Sequence, residues 1–316
     1  PPAGESFIGA GYGPGLSLRS ANRTSDQVSI VEDGVTKRVL SVPGQDRERH
    51  YVAMSGDGRL VVSADQYDIG YPPVRVWDAQ TGTQVRTLDG VGPVAISRDG
   101  ARVYYTRGFG LMADPPFPSS PASSVTSMAL VPGDELLAVG KTNGTIDLIR
   151  VSDGSVTRSL HDDSVGRKGP VTEMAISADG SILATGGDDD TSVRIWRTSD
   201  GSLLHSLAFR GGTRALAFTR DGSRLLIGNI GSTLTIADVS DGAVSAVHEV
   251  TASAIQVSPD DQIAYVGRLY QVARYRLADW TELSPLTGSV GALALSADGT
   301  LLASASGGTA RIYCLP

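Results

Sequence analysis

A short turn recurs along the chain, and no other feature constrains the fold as strongly. "SGDG" starts at Ser55, "SRDG" at Ser97, "SADG" at Ser177, "TRDG" at Thr219, "SPDD" at Ser258 and "SADG" at Ser296. A degraded copy, "VPGD", starts at Val131. The successive spacings are 42, 34, 46, 42, 39 and 38 residues. An alternating apolar run precedes each turn ("PVAI", "ALAF", "ALAL") and another follows it ("SILATG", "SRLLIG", "TLLASA"). Period-two alternation on both sides of an Asp-Gly turn predicts a β-hairpin.

A second hairpin follows in most copies. "VRVWDAQTGTQVRTL" (74–88), "IDLIRVSDGSVTRSL" (146–160), "VRIWRTSDGSLLHSL" (193–207) and "LTIADVSDGAVSAVH" (234–248) align with one another. Each reads as strand, Gly-containing turn, strand. No apolar stripe recurs at helical spacing. One unit is therefore four short antiparallel strands, and four-stranded units at this period predict an all-β β-propeller. A lone four-stranded sheet cannot hide its two apolar faces. Stacking such sheets around an axis buries both.

The chain resembles the WD-repeat β-propeller family over nearly its whole length. "VRVWD" (74–78) matches the strand motif that names the family, and "DTSVRIW" (190–196) matches its bend aspartate six residues before the tryptophan. The resemblance assigns structural roles to Trp77, Asp190 and Trp196. It also implies a hydrogen-bonded tetrad of His, Ser/Thr, Asp and Trp in each blade. Here the Gly-His pair is missing from every copy, and Trp stands in the third strand of only two, so the tetrad is incomplete. Arg in place of Lys, with only Lys37, Lys141 and Lys168 present, suits a divergent bacterial member.

One domain is expected over residues 1–316, with approximate blades at 1–42, 51–88, 91–118, 124–160, 169–207, 213–249, 252–286 and 288–316. This count favours eight blades, with seven as the alternative. "QVSIVEDGVTKRVL" (27–40) reads as the third and fourth strands of the first unit. In the unit at 93–118, "GLMADPPFPSS" replaces a second hairpin; proline cannot donate to a ladder, so that edge is irregular or looped out. The last unit stops at "ARIYCLP" after three strands, leaving a fourth to come from the N-terminus or to be absent.

The bulk numbers narrow the function. A net charge of −7 argues against nucleic acid as partner, because phosphate neutralisation needs a basic stripe. No run of eighteen apolar residues suits membrane insertion. The single cysteine, Cys314, forbids an internal disulfide and leaves both redox compartments open. The chain begins "PPAGESF" without Met, as expected of a processed product or a piece of a longer protein. A cytoplasmic location is expected, or export with the leader removed.

Chemistry-bearing residues are sparse. His50, His161, His205 and His248 lie at no metal-ligand spacing. Asp188 and Asp189 sit beside Asp190 in the loop between the second and third strands, where adjacent aspartates are ordinarily local caps; they are weak metal candidates. No catalytic set and no cofactor are expected. The loops at one end of the units are richer. "PGQDRERH" carries Arg47, Arg49 and His50, "ADQYDIGYPPVR" carries Tyr67, Asp68 and Tyr71, and "HDDSVGRKGP" carries His161, Arg167 and Lys168. "FGLMADPPFP" adds Phe109, Met112 and Phe117, an apolar insertion that must be buried or meet a partner. Tyr and Arg favour binding hot spots. Trp280 falls at a turn of the opposite end and is expected to pack over it.

These residues suit a non-catalytic protein-interaction or sensor module with a protein or peptide partner, such as the C-terminal propeller of a larger bacterial signalling protein. The alternative is a propeller enzyme or small-molecule binder, similar to lactonases, lyases or quinoproteins, with a site at the axial channel.

Overall fold

A computed structural model describes residues 27–32, 35–41, 50–55, 59–65, 73–78, 81, 83–118, 122–162, 169–187, 190–209, 211–268, 271–287, 292–295, 301–306 and 309–314. Among them there is no helix. A hairpin of β1 (Gln27–Glu32) and β2 (Val35–Ser41) comes first. A four-stranded sheet follows: β3 (His50–Met54), β4 (Leu60–Asp65), β5 (Val74–Asp78) and β6 (Gln84–Leu88). The next sheet has three strands, β7 (Val91–Ile96), β8 (Val103–Arg107) and β9 (Gly110–Asp114). Four strands recur in β10 (Val125–Leu130), β11 (Leu136–Lys141), β12 (Ile146–Arg150) and β13 (Val156–Leu160). They recur again in β14 (Glu173–Ile176), β15 (Ile182–Gly186), β16 (Ser192–Arg197) and β17 (Leu203–Ala208). Then come β18 (Thr213–Phe218), β19 (Arg224–Asn229), β20 (Leu234–Asp238) and β21 (Val244–His248). Next are β22 (Ala254–Val257), β23 (Ile263–Arg268), β24 (Gln271–Arg276) and β25 (Glu282–Thr287). The last sheet is β26 (Ala292–Leu295), β27 (Leu301–Ser306) and β28 (Thr309–Cys314).

Each sheet is an antiparallel meander in sequence order, and from β3 onward each packs on the next through its first strand: β3 on β7, β7 on β10, β10 on β14, β14 on β18, β18 on β22 and β22 on β26. This is the side-by-side order of a β-propeller. The first strands β7, β10, β14 and β18 read large–Ala–large ("VAI", "MAL", "MAI", "LAF"), which suits close packing of sheet on sheet there. Ala129 and Ala138 share one buried cluster with Met174, Leu183 and Trp196 of the following sheet, small side chains receiving large ones.

The repeated turn is held by its own side chains. Ser177 Oγ donates to Asp179 at 2.5 Å and accepts from the amide of Ile182 at 3.0 Å. Asp179 in turn accepts from the amide of Ser181 at 3.0 Å. The same clasp joins Ser97 to Asp99, Thr219 to Asp221 and Ser258 to Asp260. The fourth position needs a left-handed backbone, supplied by Gly100, Gly180 and Gly222 at φ 71–76°. The two departures from Gly have a use. Asp134 (φ 57°) and Asp261 (φ 56°) stand there instead, and each reaches back to the preceding sheet's turn. Asp134 accepts from the amide of Arg98 at 2.5 Å, and Asp261 from the amides of Arg220 and Asp221 at 2.5 and 3.0 Å. These two copies of the turn are thus ties between sheets.

Hydrogen bonds from Ser or Thr hold the carboxyls of Asp153, Asp179, Asp200, Asp221, Asp238 and Asp260 below the usual range, and the Thr281 amide does the same for Asp279. A lowered folded-state pKa means that the unfolded chain takes up protons first, so these turns contribute fully above the ordinary carboxylate pKa of about 4. That contribution is lost as pH falls through the folded values. Stability measured by urea titration is expected to be flat from pH 7 to about 5 and to drop steeply below about 4. A flat profile down to pH 3 would show that the turn clasps are not formed.

Among the described residues, the sheet β7–β9 has no regular fourth strand. After β9 the chain passes through Pro115, Pro116 and Pro118, and backbone ties run from Leu111 N to Ala122 O and from Val125 N to Phe109 O. The irregular edge expected from the prolines is present.

A size exchange explains the turn at Trp280. At the turns from third to fourth strand, Gly201 and Gly242 have φ 75° and 72°. A side chain at Gly242 would meet His205, 2.7 Å from its Cβ, and one at Gly201 would meet Arg158. Ala246 holds the register position of Arg158 and His205 in the next outer strand (Leu148↔Arg158, Ile195↔His205, Ile236↔Ala246). Trp280, at φ 55°, takes the following turn, and its ring stacks between His248 (4.4 Å) and Tyr275 (4.7 Å). Burial lowers the His248 pKa. Trp280 packs over its turn, as expected.

Candidate functional site

In an antiparallel meander, the connections from second to third strand and from one sheet to the next all fall at one end. Phe109 and His161 lie at that end. Two buried charge clusters lie beneath it. Arg194 of β16 is 4% exposed; its Nε donates to Asp162 at 2.9 Å and its Nη1 to Asp190 at 2.5 Å. Asp162 follows β13 of the preceding sheet and Asp190 lies in the bend before β16, so one guanidinium ties two sheets. Asp190 also accepts from the amide of Ser192 at 3.1 Å, the bend role that the resemblance implied. Trp196, 1% exposed, donates Nε1–H to Thr185 Oγ1 at 3.0 Å. Trp and Thr of the tetrad are thus in place, while Asp190 turns to Arg194.

One sheet earlier the charges are reversed. Asp147 of β12 occupies Arg194's register position (Val139↔Asp147↔Ser159 against Thr185↔Arg194↔Ser206). It pairs with Lys141 at 2.6 Å and accepts from Ser159 Oγ at 2.6 Å. These clusters went unnoticed in the sequence, yet a signal was present. Arg194 lies two residues before Trp196 in a strand, so both point to the same buried face, and a charge there requires a partner.

Above this layer the surface holds an aromatic side chain. Phe109 sits between Gly108 and Gly110 in the two-residue turn joining β8 to β9, and is 60% exposed. Met112 and Phe117 of the same insertion are half-buried in the packing around β7–β9, with the Phe117 ring 6.0 Å from Tyr104. The insertion is therefore divided: two apolar side chains serve the fold, while Phe109 is 60% exposed. Beside it Arg107 pairs with Asp89 at 2.7 Å, an exposed pair worth little. His161 is exposed at the same end of the neighbouring sheet, next to buried Asp162. Trp77 is 5% exposed in β5.

Arg47, Arg49, Tyr67, Asp68, Tyr71, Arg167, Lys168, Asp188 and Asp189 lie outside the described residues. His50 opens β3, and its side chain lies outside them as well. Among the described residues, no group of three His, Cys, Asp or Glu is placed to hold a metal ion.

The family model described as "WD domain, G-beta repeat" matches residues 154–197 and 280–314. These two stretches of the chain match WD repeats. The chain is 33% identical over 113 residues to an uncharacterized WD repeat-containing protein of the bacterium Synechocystis, covering 35% of this chain and 31% of that protein. It is 28% identical over 190 residues to the periodic tryptophan protein 2 homolog of Schizosaccharomyces pombe, 60% of this chain and 20% of that one. Subunit I of eukaryotic translation initiation factor 3 from Phaeosphaeria nodorum is 34% identical over 92 residues, 27% of each chain. The matches thus span less than a third of the length of these curated relatives. The first matched repeat, 154–197, contains both Asp162 and Arg194, so the buried cluster lies within a WD unit.

Proposed function

We propose that the chain is a non-catalytic protein-interaction module whose partner docks on the end carrying Phe109. The reading rests on the exposed Phe109 ring, set at a tight turn over rigid sheets. A large rigid ring exposed on a fixed platform suits a binding anchor, because little conformational freedom is lost on docking. WD repeats as a class suit scaffolds, and one relative is by name a subunit of a larger factor. In this reading the rim also takes in Arg47, Arg49, His50, Tyr67, Asp68, Tyr71, His161, Arg167 and Lys168.

In the finer reading, residues 1–316 form one eight-bladed domain. The hairpin β1–β2 supplies the outer half of the first blade, and the N-terminus completes the last sheet. The module then serves as the sensing or recruiting part of a larger signalling protein.

Phe109→Ala tests the anchor. Its exposure predicts a change in folding stability within about 0.5 kcal/mol. Recovery of the native partner in quantitative pull-downs from the source cell is expected to fall about thirtyfold, as for a central hot spot. Undiminished recovery with Phe109→Ala, and again with Arg47, Arg49, Tyr67 and Tyr71 replaced together, would refute the proposed face.

A further inference from the structure

The outer wall of the fold is not uniform. In each four-stranded sheet the fourth strand is the edge. Edge strands invite pairing with other chains, and charges or proline ordinarily prevent it. β6 has Arg86 at its centre, β13 has Arg158, and β25 has Glu282 and Pro285. Two neighbouring edges carry no such guard: β17 ("LLHSLA") and β21 ("VSAVH") contain no Lys, Arg, Asp, Glu or Pro.

β21 is the more exposed of the two. Val244 is 49% exposed and Val247 58%. Val247 pairs with Thr235 and Val244 with Ala237 across a bulge, so the two valines share one face of the strand. Ala237 belongs to the apolar cluster between this sheet and β14–β17, where Leu204, Leu207 and Phe209 are half-buried. The valines therefore extend an apolar seam outward to the wall.

The charge pattern identifies the occupant. When an edge pairs antiparallel with its own copy about a two-fold axis, each strand meets itself reversed. A charge at the strand's centre then opposes its like, which is destabilising, as Arg86 and Arg158 would be. The centre of β21 is Ser245 and Ala246. A register with Val244 of one copy opposite Val247 of the other also sets Glu249 opposite Gly242, so no like charges meet.

We propose that β21 is a homotypic interface, through which two copies of this chain join edge to edge in that two-fold register. The wall lies apart from the turn bearing Phe109, so this proposal and the partner face stand or fall separately.

Sedimentation equilibrium of the full chain, up to about 0.2 mM, is expected to show a monomer–dimer equilibrium. Val247→Lys is expected to weaken it about tenfold or more, since it places a charge in the pairing. Val244→Glu alone is expected to weaken it likewise. Mixing the two variants is expected to restore dimer as a heterodimer, because Glu at 244 then faces Lys at 247. Val85→Lys, an equally exposed valine on the Arg-guarded β6, is expected to leave association unchanged. All sites are exposed, and unchanged circular dichroism confirms folding. A strictly monomeric chain, a dimer indifferent to Val247→Lys, or failure of the mixed variants to associate would each overturn the proposal.

Discussion

Replacing Arg194 by methionine is expected to lower folding stability by about 3–5 kcal/mol, the cost of breaking a buried ion pair from one side. The side chains of Arg194, Asp162 and Asp190 are 5%, 1% and 7% exposed. Methionine fills most of the volume but leaves two carboxylates out of water without their cation. Lysine is a poor rescue. Arg194 serves Asp162 through Nε and Asp190 through Nη1, and a single ammonium cannot copy that fork. Removing both sides should hurt less than the single changes suggest: Asp162→Leu with Arg194→Met is expected to fall short of the sum by at least about 1 kcal/mol. Urea midpoints at unchanged slope give these numbers. A loss below about 1 kcal/mol for Arg194→Met would mean that the guanidinium does not bridge the sheets.

The same cluster marks the limit of what could be read from residues alone. Hairpins were legible because their turns are closed locally: Ser177, Asp179 and Gly180 complete the bonds of a turn within a few residues. The irregular edge after β9, among the described residues, was legible because proline removes ladder donors, whatever surrounds it. Ties between sheets were not. Nothing local in "VPGD", read as a degraded copy, or in "SPDD" shows that Asp134 and Asp261 bond to amides of the sheet before. The size exchange of Ala246 and Trp280 likewise pairs residues far apart in sequence, in adjacent sheets. For the candidate rim, Phe109 was singled out as one of three apolar residues in an insertion. Its separation from Met112 and Phe117 came only from packing, because three apolar residues in one insertion look alike until the sheet beneath selects two of them.

Trp196→Ala is expected to cost about 3–5 kcal/mol, which makes it the second large test. Trp196 is 1% exposed and sits between two sheets, in a cluster with Leu148 and Leu160 of one and Met174 and Leu183 of the other. Alanine leaves a cavity that neither rigid sheet can close, and it strands Thr185 Oγ1 without its donor. Trp196→Phe separates the two losses. It keeps most of the apolar contact and removes the hydrogen bond, so about 1–2 kcal/mol is expected. Each sheet in such a stack leans on its neighbours, so the damage should be local at first. Hydrogen exchange in Trp196→Ala is expected to quicken in β10–β13 and β14–β17 before β22–β25. If alanine costs less than about 2 kcal/mol, or exchange rises evenly along the chain, then sheet-on-sheet packing at this tryptophan does not hold the repeats together.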